Sequence, residues 1–588
     1  MSKKKRNKNS KKPTLEHVQS ENKQNPVQPY MVRFTQLKNI ANNGWTTRWK
    51  ELSNNFDPTK GRYLISDGID DDNRGKNNYT NIINPTPIVA RRNLSSGLLG
   101  NLTSPTGKWF RLAVRDTDLM DSPEVSEYLF EVREVLLKIF SISNFYGAIH
   151  SVYEELVTFG TASMLIEEDF DTVIRCRPFT IGEYYLALGP NLEPDTLYRQ
   201  FSLSARQLVE EFGYDECSTQ VQANYDSNQG ETLIKVIHCI QPRVQGDAAV
   251  LSDINKPFES VYFEAGGTTE SNANNGFLRV TGYDEKPFMA PRWNVTAGDV
   301  YGSSQPADIS LGDAKQLQTE EKLKLKQLSK ETEPPLIAPS VLKNEVITQV
   351  PGEVTFADSA EPGSQGVRPL WEVRANIAPI AADIQMMESR IQRTFFNDLF
   401  QTVINETKRM TATEVAQRRE EKLALLGPAV NRLQREVLEN SIERTFAIAE
   451  RLNLLPEVPE ALAERELEIQ YVSALAQAQQ IVTTQSLEQV FAFAGNLSAV
   501  FPEVLDRLNA DEALEGYAED YGIDPKLVRS DEEVAEIRQA RAQARAQAQQ
   551  QAQQQEAITQ NAQNAKVMAE TKVGESNALE AVLSGVAV

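Results

Sequence analysis

The chain has 588 residues and a mass of 65.8 kDa, a length that predicts roughly three to five folding units. Its 61 Lys and Arg against 82 Asp and Glu leave a net charge of −21, which excludes a free-standing duplex-DNA binder that works by neutralising phosphates; any contact with nucleic acid must be local or weak by design. Three cysteines, Cys176, Cys217 and Cys239, lack a CxxC spacing, and no apolar run approaches membrane-spanning length, so the sequence predicts neither a disulfide framework nor a zinc ribbon. It predicts a soluble protein of a reducing compartment, without a membrane span or secretory signal.

Residues 1–28 carry eight basic residues and two acids. Rich in Lys, Asn and Gln and almost without aromatics, this tail is predicted to be disordered, either as plain solvated chain or as a tether to an acidic partner or DNA. A helical pattern follows over 34–52, where Trp45 and Trp49 lie four apart and share a face that anchors the segment. Residues 57–85 read as a surface loop. Helical periodicity returns over 86–102 and over 122–159.

Short runs of strand character come next, at 163–169, 172–179, 182–188, 232–240, 260–265 and 277–283. Gly, Asn and Asp punctuate them, which predicts an antiparallel α+β region. A helix is then predicted over 308–330. At 100° per residue, Ala314, Leu317, Leu325 and Leu328 fall on one side of it, and Lys315, Lys322, Lys326 and Lys330 fall within about 80° on another. The helix therefore has one apolar face and one lysine stripe, whose plain reading is a solvated helix face.

Pro334, Pro335, Pro339 and Pro351 interrupt the next stretch and suit a small strand-rich insertion reaching about residue 373. A second helix is predicted from 378 to 400, with Pro379 tolerated in its first turn. Ile377, Ile380, Ile384, Met387, Ile391 and Phe395 step by three or four along it, a narrow seam suited to helix–helix packing. A polar break over 401–410 leads to Thr411-Ala-Thr-Glu414, a capping box that opens a long helix to about 452, with a kink or break at Gly427-Pro428.

Residues 457–536 hold 18 acids and four basic residues, with shorter helices over 473–535. From 538 to 563 the sequence is Ala- and Gln-rich without Gly or Pro. This is a helix that either packs with parallel copies or stays solvated.

Catalytic chemistry finds no foothold. His17, His150 and His238 are far apart and give no local support for a metal site. The segment Gly100-Asn-Leu-Thr-Ser-Pro-Thr-Gly107-Lys108-Trp109 fails as a phosphate loop. It has two residues too many between its glycines, and Trp109 stands where a magnesium-binding hydroxyl belongs. Asp70, Asp71 and Asp72 lack the glycine and the terminal Glu of a calcium loop. The chain is read as a non-enzyme without cofactor or metal.

A series of strings carries a family resemblance: Leu102-Thr-Ser-Pro-Thr-Gly-Lys-Trp-Phe-Arg-Leu112, Ser143-Asn-Phe145, Glu155-Leu-Val-Thr-Phe-Gly-Thr-Ala162, Glu167-Glu-Asp169, Gly182-Glu-Tyr-Tyr-Leu-Ala187 and Asp195-Thr-Leu-Tyr-Arg199. It continues through Pro291-Arg-Trp293, Val300-Tyr-Gly302, Pro334-Pro-Leu336, Met410-Thr-Ala-Thr-Glu-Val415 and Leu425-Leu-Gly-Pro428. In this order they resemble the portal, or head-to-tail connector, proteins of short-tailed bacteriophages, over about residues 30–540.

The resemblance implies a mainly helical α+β portal fold assembled as a ring around a conduit with an acidic wall. Its parts would be a basic tail (1–28), a wing (29–305), a first stem helix (306–330), a clip (331–375) and a second stem helix (376–400). A tunnel loop (401–411), a long kinked helix returning to the wing (412–472), a crown (473–535), a C-terminal helical barrel (536–572) and a flexible tail (573–588) complete it. It further implies a dodecamer at one capsid vertex, assembled in the host cytoplasm, that admits and releases double-stranded DNA. Implied partners are the terminase large subunit, tail adaptor and nozzle proteins, and the major capsid and scaffolding proteins.

Twelve copies would carry on the order of −250 charges, a wall that repels phosphates and keeps a duplex sliding. Lys408 and Arg409 in the tunnel loop, with Lys315, Lys322, Lys326 and Lys330, become candidates for transient backbone contacts. Ile380, Ile384, Met387, Ile391 and Phe395 become candidates for subunit packing, and Pro334, Pro335 and Leu336 for docking of motor and adaptors. The competing classes are an internal scaffolding or ejected virion protein, against which the strands of 163–283 count, and a nucleotide-driven packaging motor, against which the broken phosphate loop counts.

Overall fold

A computed structural model of the chain describes residues 26–65, 79–114, 122–243, 255–266, 276–333, 377–398, 427–462 and 531–570, with short stretches at 336–337, 343, 368–369, 467–471, 490–497, 509, 513–514, 572–573 and 576–577. Two compact units are present, one of residues 1–112, 132–457 and 469–480 and the other of 113–131, 458–468 and 481–588. Among the described residues no single helix is long and apolar enough to cross a membrane.

The helical pattern around the two tryptophans resolves into α1 (Gln28–Asn42) and α2 (Trp45–Phe56). Gly44 between them takes a φ of 130°, a conformation that L side chains avoid, and the helix turns there instead of continuing. Trp45 and Trp49 do share a face: both rings rest on Tyr301, with centroids 5.7 and 5.0 Å away. The hydroxyl of Tyr301 in turn accepts the Leu186 amide at 3.1 Å.

After α3 (Thr86–Leu102) and a short strand β1 (Phe110–Val114), the single helix expected over 122–159 is two, α4 (Pro123–Ile142) and α5 (Phe145–Phe159). Asn144 makes the break. Its side-chain amide donates to the Cys176 carbonyl at 2.7 Å, and its side-chain oxygen accepts the Cys176 amide at 2.8 Å, a pairing that fixes the helix junction against the edge strand that carries Cys176.

The strands are β2 (Ser163–Asp169), β3 (Val173–Phe179), β4 (Tyr184–Leu188), β5 (Pro194–Ser204), β6 (Leu233–Pro242), β7 (Phe258–Glu264), β8 (Phe277–Tyr283) and β9 (Phe288–Met289). They form two antiparallel sheets, ordered β3-β2-β9 and β4-β5-β6-β7-β8. The sequence reading missed β5, which is the longest of them; its register runs from Leu197↔Ile240 to Ser204↔Leu233.

It also missed two short helices, α6 (Ala205–Phe212) and α7 (Thr219–Asp226). Ser204 and Gln207 open α6 with a capping box, and Ala205, Leu208, Cys217 and Val221 pack on Val236, Tyr262 and Leu278 of the larger sheet. His238 belongs to this sheet: its Nε2 lies 3.0 Å from the Ser260 hydroxyl and its ring stacks on Tyr262. Burial, followed by the nearby arginines 199, 177 and 279, holds its pKa well below the usual histidine value. It is a neutral core histidine.

The helices share a buried ionic cluster. Arg91 on α3 pairs with Asp57 at 3.1 Å and Glu154 at 3.5 Å, while Glu155 pairs with Lys60 at 3.2 Å and accepts the Ile181 amide at 3.2 Å. Glu155 is 1% exposed. That burial outweighs Lys60 and the Ile181 amide and pushes its carboxyl up from 4.5 to about 7.

A carboxyl whose folded pKa lies above its unfolded one adds stability that is complete below the unfolded value and is lost as the pH climbs through the folded value. Glu155→Gln should therefore remove a pH-dependent decline in stability between about pH 4.5 and 7, on the order of 3 kcal/mol. Urea midpoints of both proteins across that window give the difference directly. Parallel curves would place the group's titration outside it.

Candidate functional site

The longest helix of the larger unit, α8 (Gln305–Thr332), begins where two segments cross at backbone contact. Gly160 ends α5 in the left-handed region at φ 78°, and a Cβ there would stand 2.2 Å from the Ser303 carbonyl carbon. A Cβ on Gly302 would stand 2.5 Å from the Gly160 carbonyl oxygen. The two glycines let the chains meet, and hydrogen bonds then fix them: Trp293 donates its amide to the Gly160 carbonyl at 2.9 Å, and the Gly302 amide donates to the Thr161 hydroxyl at 2.7 Å.

Ser304 caps the helix, accepting from the Ala307 amide, and its hydroxyl donates to the Val157 carbonyl. The helix thus starts three residues before the predicted one, with Pro306 in its first turn. Asp308 near the N-terminus is clasped by Arg48 of α2, whose Nε donates at 2.9 Å and whose second nitrogen completes the fork.

Anchoring continues for about four turns. Ala307, Ser310, Ala314 and Leu317 are buried, and Gln318 accepts the amides of Ile83 and Asn84 at 2.7 and 2.9 Å while donating to the Asn84 carbonyl at 2.8 Å. The Asn84 side chain is a three-way tie. Its amide nitrogen donates to Glu388 at 2.8 Å and to Glu321 at 3.3 Å, and its oxygen accepts the Thr86 amide at the start of α3. Glu388 belongs to α9 (Ala378–Thr394), so one asparagine joins α3, α8 and α9. The sequence analysis missed this tie; Asn84-Pro85-Thr86 carries the signature of an Asx turn before a helix, but its partners lie over 200 residues away.

The predicted residues divide by this anchorage. Lys315 is tied to Glu51 at 3.0 Å, which withdraws it from the stripe. Lys322, Lys326 and Lys330 are exposed and have no ion-pair partner among the described residues. The apolar side of α8 is likewise covered only in its first half: Leu325 and Leu328 are 50% and 38% exposed.

The seam on α9 corrects an expectation. Ile384, Met387, Ile391 and Phe395 are buried within this chain, Phe395 against Phe56 with ring centroids 5.4 Å apart, because α9 closes on α8 and α3 of the same subunit. Of the five residues assigned to subunit packing, Ile380 alone is left partly exposed. The helix also ends earlier than predicted, at Thr394, followed by Phe396 at φ 55°.

The proline-rich insertion opens and closes on a two-residue ladder, β10 (Leu336–Ile337) with β11 (Arg368–Pro369), in which Leu336 pairs with Pro369. Pro334, Pro335, Lys408 and Arg409 lie outside the described residues. The described part of the long helix runs from 427 to 451, its second part being α10 (Asn440–Arg451), with a π-helical stretch at Gln434–Glu439. The kink expected at Gly427-Pro428 falls at the edge of what is described.

Charge fixes this helix to the strands. Glu436 accepts the Arg292 guanidinium at 2.9 Å and its amide at 2.7 Å, Arg444 pairs with Glu285, and Arg451 bridges Glu168 at 2.7 Å and Glu285 at 2.6 Å. Arg292 stands within the quoted Pro291-Arg-Trp293, which its buried pairing explains.

Residues 28–528 match the family described as bacteriophage head to tail connecting protein. The portal protein of Salmonella phage epsilon15 is 40% identical over 551 residues, 94% of this chain and 96% of that protein. The probable portal protein of Bordetella phage BPP-1 is 39% identical over 551 residues, 93% and 96%. Among solved structures, the neck of an empty gene transfer agent particle covers 72% of this chain and 89% of its own at 10% identity and a TM-score of 0.33, a likeness too slight to carry a conclusion. The chain belongs to the bacteriophage head-to-tail connecting protein family, a structural component of the virion, and the scaffolding alternative falls away.

Replacing Asn84 by Ala takes from Glu388 the shorter of its two hydrogen bonds, leaving only the Thr86 hydroxyl at 3.4 Å, and leaves the first turn of α3 without its Asx bond. The expected cost is about 2 kcal/mol, read as a lower urea midpoint, together with faster amide exchange in α8 around 313–321 and in α9 around 384–391.

Proposed function

We propose that the chain is a portal subunit, about twelve of which close into a ring at one capsid vertex, and that the ring is a channel for double-stranded DNA during packaging and ejection. The observation that carries this reading is the two-part character of α8. Its first turns are held by caps, ion pairs and burial, while the last turns present Leu325 and Leu328, 50% and 38% exposed, beside Lys322, Lys326 and Lys330, which have no ion-pair partner among the described residues. An isolated apolar strip on a projecting helix is suited to burial against copies of itself.

In this reading α8 and α9 are the stem, residues 29–305 the wing, and the insertion closed by β10 and β11 the clip. Residues 401–411 are the tunnel loop, 473–535 the crown and 536–572 the barrel. Arg444 and Arg451, which tie the long helix to Glu285 and Glu168, support its role as the return to the wing. The clip, with Pro334, Pro335 and Leu336, docks the terminase large subunit, which supplies the ATP-driven work, and later the tail adaptor and nozzle proteins. The rim meets capsid and scaffolding proteins during assembly in the host cytoplasm. Lys322, Lys326, Lys330, Lys408 and Arg409 offer weak, sequence-independent backbone contacts inside an otherwise acidic conduit.

Leu325→Asp combined with Leu328→Asp should leave the subunit's melting temperature within a degree or two of wild type, since both side chains are exposed in the monomer. The same pair should abolish the species near twelve times 65.8 kDa in native mass spectra. A variant that still closes into rings would show that the outer half of α8 is not a subunit contact.

A further inference from the structure

The hairpin of β2 and β3 ends in a phenylalanine that the fold does not use. Phe170 is 106% exposed, where the next most exposed large apolar side chains among the described residues reach 67%. Single apolar residues on a surface are ordinary; this one differs in how firmly its backbone is held. Val173 sits at φ 70°, a left-handed conformation that a β-branched residue rarely adopts. The Asp169 carboxylate accepts the Thr172 amide at 3.1 Å and the Thr172 hydroxyl at 2.6 Å, which closes the turn around Phe170. Next to it, Glu168 is bound to Arg451 of α10 at 2.7 Å.

Charge narrows what the tip can meet. Glu167 pairs with Arg177 at 2.6 Å and Asp169 with Arg175 at 3.3 Å. With Glu168 also bound, Asp171 is the acid of this hairpin that is exposed and has no ion-pair partner among the described residues. An unpaired carboxylate beside the ring disfavours nucleic acid and anionic lipid alike. The matching partner is a protein pocket with an apolar floor and a cation at its rim.

The same chain carries such a pocket. The first half of α1 and the end of β7 border a cavity of about 420 Å³ lined by Val27, Met31, Val32 and Thr35 and by Glu264 and Gly266. Val32 is 46% exposed, so the apolar lining is open to solvent. Between the last two, the Ala265 amide donates to the Lys235 carbonyl at 2.8 Å. Lys235 stands two residues before Ile237, the β6 partner of Phe263, and the Phe263 ring meets Tyr30 of α1. Its side chain therefore lies on the α1 side of the sheet, exposed and without an ion-pair partner among the described residues. The Phe170 of the same chain stands wholly in solvent and is not the occupant.

We propose that Phe170 is a knob that enters the pocket lined by Val27, Met31 and Val32 on a second copy of this chain, with Asp171 set against Lys235 of that copy. The proposal rests on the ring reading given above and adds a contact apart from the outer half of α8. Knob and pocket are different surfaces, so the contact is heterologous. Each copy gives its knob to one neighbour and receives one from the other, an arrangement that closes into a ring when the rotation fits. A phenylalanine side chain buries about 150–250 Å², and the Met31 thioether packs well against an aromatic ring. A tip already fixed by its turn loses little freedom on docking.

The experiment uses the full-length protein, with native mass recorded over a dilution series. Phe170→Ala should keep the wild-type melting temperature within about two degrees, since the ring is wholly exposed in the monomer. It should raise the concentration at which half the subunits are assembled by at least about tenfold. Asp171→Lys should weaken assembly in the same direction, and Lys235→Asp added to it should restore assembly, a rescue that a misfolded tip would not show.

Wild-type assembly by Phe170→Ala or by Asp171→Lys would overturn the proposal, and so would an Asp171→Lys defect that Lys235→Asp fails to relieve. Failure of the ring reading shows separately, as a wild-type protein that forms no ring. In that case Asp171→Cys and Lys235→Cys proteins mixed under an oxidant decide the contact, because Cys176, Cys217 and Cys239 are buried. A disulfide-linked pair formed by the mixture and by neither protein alone supports the knob and pocket; its absence overturns them.

Discussion

The crossing of Gly160 over Ser303 and Ser304 is the constraint on which the rest of the larger unit depends. Backbone meets backbone there at a distance that excludes even a methyl group, and the hydroxyl of Ser304 bonds both the departing helix and the one it leaves behind. The start and direction of α8 are thereby set by main-chain geometry, which side-chain motion cannot relax. Arg48 on Asp308 and Gln318 on Asn84 extend the same hold outward along the helix, and α9 is fastened to it through Glu388. A helix fixed so firmly at one end carries position to the other, which is the property that the proposed ring would need of its stem.

Electrostatics complements that geometry. In the proposed function the connector passes DNA, and must then enclose a polyanion without retaining it. On the proposed reading the chain meets this with a large negative charge relieved at a few sites, among them three exposed lysines on the outer half of α8. Where charges are buried they are paired and serve the fold, as Arg91 with Asp57 and Arg292 with Glu436 do. Exposed cations without partners are therefore the informative ones, because isolated surface charges contribute little to stability.

Much of the architecture was legible in the sequence. The α+β class, six of the strands, both long helices and the C-terminal helix follow from periodicity and turn residues. β5 escaped because it opens on Pro194 and mixes Asp, Thr, Arg, Gln and Ser among its apolar residues; only its central place in the sheet makes it a strand. The breaks at Gly44 and Asn144 were invisible to a window that counts apolar spacing, since each is set by one residue's backbone or side-chain bond. The seam of α9 was read correctly as a helix-packing face and wrongly as an intersubunit one. Periodicity tells which side of a helix is buried, not by which chain. The Asn84 tie needs partners that are distant in sequence, and no local signal contains them.

The most direct measurement is electron cryomicroscopy of the assembled full-length protein. The account predicts a closed ring of about twelve subunits with a through-going channel, in which residues 322–332 of each α8 are covered by neighbouring copies. A monomer or an elongated dimer, with that half of the helix still in solvent under varied salt and concentration, would contradict it.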